Sequence, residues 1–156
     1  MRSLARQQKP MQNTFNLTER IESLKAGAIS ALGLFLFFTI IASVNTLVLA
    51  EQFDALAGFQ EMHQFLASGA GATASGFLFG VTYRYIIRQD TNPHLKSGAV
   101  LAFGLARGLA QVEIGLNLNA DLWLFFVLGL ESILLFGFAG KILDLAIQRQ
   151  WVKPFG

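Results

Sequence analysis

Four apolar stretches, each long enough to cross a bilayer, alternate with short polar segments along the chain. Residues 26–50 carry no charged side chain. About 20 apolar residues span the hydrocarbon core, so a first transmembrane helix is predicted here. Val48-Leu49-Ala50 also reads as a signal-peptide cleavage site. The apolar run, however, exceeds the roughly 7–15 residues of a signal-peptide core, and further spans follow, which favours an uncleaved helix. Spans are likewise predicted over about 65–87, 97–119 and 122–147, making an all-α integral membrane bundle of four helices spanning residues 26–147. Before it, Leu17, Ile21 and Leu24 recur at helical spacing, with Asn16 or Thr18 as N-cap. Two readings fit this segment: a short helix on the membrane surface, or the first turns of the first span. Residues 1–13 are polar and read as a flexible tail within a basic 1–25 segment, and 148–156 form a short basic C-terminal tail.

Polar residues inside the spans modify this picture. The second span carries small residues four apart, Ser68, Ala72, Gly76 and Gly80, a period that lets two helix backbones approach closely. In the third, Gly104, Arg107, Gly108, Gln111 and Gly115 fall on one face at about 100° per residue, and Glu113 lies opposite them. Glu131 stands near the middle of the fourth span. Arg107 and Glu131 are each about ten residues into their own antiparallel helix, which brings them to matching depth near the midplane. An unpaired charge there costs at least a few kcal/mol. An Arg107–Glu131 ion pair is therefore expected, with Gln111 bonding the same carboxylate. Asn45 and Thr46 are expected to bond between helices.

Charge sets the topology. Lys and Arg occur in 1–25, in 84–96 and in 141–156, and the twelfth, Arg107, lies inside the membrane; segments 51–64 and 113–121 hold no Lys or Arg and five acidic residues. The positive-inside rule then puts both termini and the 84–96 loop on the cytoplasmic or equivalent side, an N-in/C-in arrangement. Arg84, Arg88 and Lys96, with Tyr83 and Tyr85 beside them, form an interfacial basic rim suited to lipid headgroups or an acidic partner.

Composition narrows the chemistry. The chain is 53% hydrophobic and only 14% charged, with mean hydropathy +0.49, whereas soluble domains carry about 25% charged residues. The absence of cysteine excludes disulfides, thiolate metal sites and cysteine nucleophiles. A net charge of +2 gives no footprint for nucleic acid. His63 and His94 fall in loops on opposite sides of the predicted bundle, so they cannot jointly ligate a metal or haem. No metalloprotease, nucleophile-elbow or phosphate-loop motif is present. Neither a catalytic residue nor a cofactor is expected.

The stretch Tyr83-Arg84-Tyr85, Arg88-Gln89-Asp90-Thr91-Asn92-Pro93-His94-Leu95-Lys96 and Ala102-Phe103-Gly104-Leu105-Ala106-Arg107-Gly108 resembles small multi-pass membrane proteins of cyanobacteria and plastids, over roughly the middle third of the chain. The resemblance implies a thylakoid or cyanobacterial membrane and no reaction. The role expected is that of a non-enzymatic accessory or assembly factor. One of the two small-residue stripes would pack against another membrane protein or a second copy. The alternative is a small oligomeric transporter or channel whose polar path runs past Arg107, Gln111 and Glu131.

Overall fold

The computed structural model describes residues 17–45, 47, 62–88, 92–117 and 122–156, without the side chains of 64, 114–117, 122 and 124. They form four helices: α1 (Leu17–Val44), α2 (Met62–Ile87), α3 (Pro93–Asn117) and α4 (Leu122–Gln148). Residues 1–13, expected to be flexible, the expected N-cap Asn16, Thr46, segment 51–61 and segment 118–121 lie outside the described residues. α1 runs unbroken from Leu17 into the apolar segment, so of the two readings of 14–25 the second holds from residue 17 onward. Glu22 and Ser23 are buried against other helices there, which ties these turns to the bundle.

Local chemistry accounts for the helix ends. Asn92 caps α3, its Oδ1 accepting the His94 amide at 3.0 Å, and Pro93 takes the first helical position, where its missing N–H costs nothing. α2 stops at Arg88, which adopts the left-handed conformation (φ 45°). α4 ends likewise at Gln150 (φ 59°), and the Trp151 amide reaches back to the Ala146 carbonyl at 2.9 Å, the 6→1 bond of a Schellman cap. Within the helices, Thr39, Ser43, Thr73 and Ser75 bond the carbonyl four residues back, so these hydroxyls need no water.

The helices run alternately up and down. α1 packs chiefly on α2, α3 on α4, and α4 also on α1. The small residues do this work. A Cβ on Gly80 would meet the Ser30 Cβ at 2.7 Å, one on Gly76 the Leu34 Cβ at 3.0 Å, one on Gly104 the Ile133 Cα at 2.8 Å and one on Gly108 the Gly129 Cα at 3.1 Å. Both stripes are thus spent inside the bundle, α2 against α1 and α3 against α4. The expectation that one of them faces a partner is corrected: the contacts that need close backbones are already made within the chain. Gly115 belongs to the last turns of α3, and its surroundings lie outside the described residues.

Phe79 centres the core, 5.1–5.3 Å from the rings of Tyr83, Phe103 and Phe136. The outer surface is apolar as well: Leu32, Leu36, Ile40, Leu78, Leu109, Phe126 and Leu134 are exposed. A greasy shell around a greasy core is stable in lipid. Three helical segments, Leu17–Val44, Phe65–Ile87 and Phe125–Gln148, are long and apolar enough to cross a membrane. α3 falls short because Arg107, Gln111 and Glu113 interrupt its apolar run.

Candidate functional site

Polar side chains gather in two layers. The first closes the end of the bundle where α1 and α3 begin and α2 and α4 end. Arg84 lies at its centre, 1% exposed. Its Nε donates to the Lys153 carbonyl at 2.7 Å, and Nη1 donates to the Ser23 hydroxyl at 2.7 Å and the Glu19 carbonyl at 3.1 Å. Nη2 pairs with the Glu19 carboxylate, and the Phe155 ring lies 5.5 Å from the guanidinium carbon. Glu22 extends the layer, accepting from Lys25 at 2.8 Å and from the Lys153 amide at 2.9 Å. Alongside, the Asp144 carboxylate accepts from Tyr83 at 3.1 Å and from Lys96 at 2.8 Å. This layer binds α1, α2, α3, α4 and the C-terminal segment together, and it is a clamp.

That geometry revises the basic rim. Arg84 is enclosed and fully engaged, so it does not reach headgroups. Lys96 is held by Asp144. Arg88 stays exposed and stacks on Phe155 at 5.5 Å. The reason is packing: Gly76 and Gly80 bring α2 so close to α1 that the next turn of α2 falls inside the bundle. The partners Glu19, Ser23 and Lys153 were signalled in the sequence only by acidic residues at the start of α1, the same end as the close of α2.

The second layer is a small cavity inside the bundle, about 30 Å³, lined by Asn45, Arg107, Gln111, Glu131 and Ser132 among apolar neighbours. At about 1.5 Å per residue, Glu131 lies about 20 Å along α4 from Asp144. The structure therefore brings Arg107, Gln111 and Glu131 to one place, as their common depth predicts. It does not join them. Glu131 accepts from the Asn45 amide at 3.3 Å, and Gln111 accepts from the Ser132 hydroxyl at 2.8 Å. Among the described residues no carboxylate pairs with Arg107, and its Nε is buried without a hydrogen-bond partner. The expected ion pair and Gln111–Glu131 bond are corrected on this point: equal depth fixes the level of two side chains, and the helix rotation carries Arg107 toward Gly71, where an added Cβ would lie in ordinary contact, 4.0 Å from a terminal nitrogen of the guanidinium. Asn45 does bond between helices. Ser132, directly after Glu131, joins the cavity through its bond to Gln111, and nothing in the sequence pattern singles it out.

A half-buried guanidinium and a half-buried carboxylate facing one cavity need solvent to offset their desolvation. A volume of about 30 Å³ admits about two waters. Water bridging is the chemistry this layout supports. Among the described residues no three metal-binding side chains converge, and His63 and His94 stand exposed in the first turns of α2 and α3, at opposite ends of the bundle.

Fold and site together describe a helical membrane protein with a polar clamp at one end and a cluster of charged and polar side chains around a small cavity within. Comparison with known protein families, with curated proteins and with solved structures finds no match to this chain.

Proposed function

We propose that this protein is a non-enzymatic accessory or assembly factor of a thylakoid or cyanobacterial-type membrane. In this reading all four helices cross the bilayer, and both termini lie on the cytoplasmic or stromal side. The protein acts by packing against another membrane protein. The observation that carries the reading is an open recess of about 310 Å³ on the outer surface between α3 and α4, lined by Leu105, Leu109, Phe126 and Leu130 and floored by Gly108 and Gly129. A Cβ on Gly129 would meet nothing within 4 Å, so the side of this glycine turned away from Gly108 opens onto the recess. A recess over small residues suits the ridge of a neighbouring helix.

The test is gentle detergent purification of tagged protein from its native membrane, then native electrophoresis with mass spectrometry. Co-migration with one larger assembly in fixed ratio is expected, and Gly129→Leu should lose that assembly while melting like the wild type. Wild-type protein that migrates alone, or a Gly129→Leu variant that keeps its partner, overturns the reading.

A second reading, a small oligomeric transporter, is favoured by the unpartnered Arg107 Nε and by Glu131 in the same cavity. It predicts ion flux in liposomes that Glu131→Gln abolishes.

A further inference from the structure

A groove of about 400 Å³ runs between α3 and α4 at the clamp end of the bundle. On α4 it begins about one turn beyond the recess described above: the recess is lined from Phe125 to Ile133, the groove from Gly137 to Asp144. Its walls are of two kinds. Val100, Leu101, Gly137 and Gly140 make an apolar channel along the helices, and Lys96, Ser97, Lys141 and Asp144 stand at its mouth. The Gly137 position leaves the channel open, with only the Val100 side chain near, 3.9 Å from where a Cβ would lie.

The two lysines differ. Lys96 is held by the Asp144 carboxylate at 2.8 Å, and that carboxylate also accepts from Tyr83. Lys141 is exposed and makes no ion pair or hydrogen bond with a described residue. The mouth thus presents two cations against one carboxylate that already has two donors. Its depth is also informative. α4, Leu122–Gln148, is about 40 Å long, close to the roughly 40–45 Å of a bilayer with its headgroups. Lys141 lies about 10 Å in from the end of that helix, about 5 Å inside the hydrocarbon edge. Its stem reaches back to the phosphate level by snorkelling. Exposed Trp151, beyond the end of α4, marks the same interface.

From this combination we infer that the α3–α4 groove is a binding site for one anionic phospholipid, its acyl chain along Val100, Leu101 and Gly137 and its phosphate on Lys141 and Lys96. An apolar channel opening onto cations at headgroup depth matches a lipid in both shape and charge, and basic pockets between membrane helices hold anionic headgroups in this way. Asp144 fixes the Lys96 ammonium in place. The site rests on the protein lying in a bilayer and is independent of any protein partner.

The full chain, purified in mild detergent, is incubated with phosphatidylglycerol or phosphatidylcholine of the same acyl chains and read by native mass spectrometry. One phosphatidylglycerol is expected to stay bound in preference to phosphatidylcholine. Lys141→Gln should lower that preference about fivefold, and its melting temperature should match the wild type because Lys141 has no described partner. Gly137→Leu should lose both lipids by filling the channel. Equal retention of the two lipids by the wild type overturns the site, as does an unchanged preference in Lys141→Gln or undiminished lipid in Gly137→Leu. Failure of the partner test above with success here separates the two proposals.

Discussion

Replacing Arg84 by glutamine removes the centre of the clamp. The side chain is 1% exposed, and its carboxylate partner Glu19 is 25% exposed. Glutamine cannot reach the Glu19 carboxylate, the Ser23 hydroxyl and two backbone carbonyls at once, so several acceptors of the guanidinium lose their donor. Breaking a buried charge pair by deleting one partner costs about 3–5 kcal/mol. Water takes over part of the solvation of the half-open Glu19, which places the expectation at the low end, about 3 kcal/mol. Arg88→Gln is the internal control: Arg88 is exposed and stacks on Phe155, and its loss should cost less than about 1 kcal/mol. Arg84→Lys should recover only part of the difference, because an ammonium cannot reproduce the planar fork of donors. The assay is equilibrium unfolding in mixed micelles at rising denaturing-detergent fraction, followed by circular dichroism. An Arg84→Gln loss no larger than that of Arg88→Gln would refute the clamp.

Other substitutions probe the remaining layers. Gly104→Ala should destabilise by about 1–3 kcal/mol in the same assay, because its Cβ meets the Ile133 backbone at 2.8 Å and the α3 and α4 backbones must part. Gly98→Ala on the same helix, with nothing within 4 Å, should not destabilise; if the two behave alike, the close approach of α3 and α4 is wrong. Arg107→Met should be neutral or stabilising in thermal melts, since it removes a half-buried charge that has no described carboxylate partner. A loss above about 2 kcal/mol would instead mean that the guanidinium is directly paired. Asn45→Leu should destabilise by about 1–3 kcal/mol because it strips Glu131 of its described donor, and Asn45→Leu combined with Glu131→Leu should recover most of that loss.

Much of the architecture is legible along the chain. Long, mostly apolar runs announce α1, α2 and α4, and Asn92-Pro93 marks the start of α3 by its own chemistry. The grouping of basic residues places the start of α1, the α2–α3 turn and the end of α4 at one end, where the clamp joins them. Side-chain partnerships are less legible. Arg107 and Glu131 share a level, but the rotation of α3 against α4 is set by Gly104 on Ile133 and Gly108 on Gly129, and that rotation turns the guanidinium away from the carboxylate. Arg84, flanked by two tyrosines, has the look of an interfacial anchor. It becomes a core residue only because two glycines one and two turns earlier draw α2 onto α1. Such effects depend on contacts between segments far apart in sequence, which periodicity within one segment cannot encode.

The packing role proposed for the recess, the transport path past Arg107 and the lipid site all require that α3 crosses the bilayer despite Arg107 and Glu113. The chain contains no cysteine, so single cysteines introduced at Ser3, Ala57, Thr91, Ala120 and Gly156 can be tested with a membrane-impermeant thiol reagent in sealed vesicles of known orientation. Labelling of positions 3, 91 and 156 from one face, and of 57 and 120 from the other, is the predicted result. Labelling of position 120 from the same face as position 91 would mean that α3 does not span the membrane, and would contradict the four-span bundle.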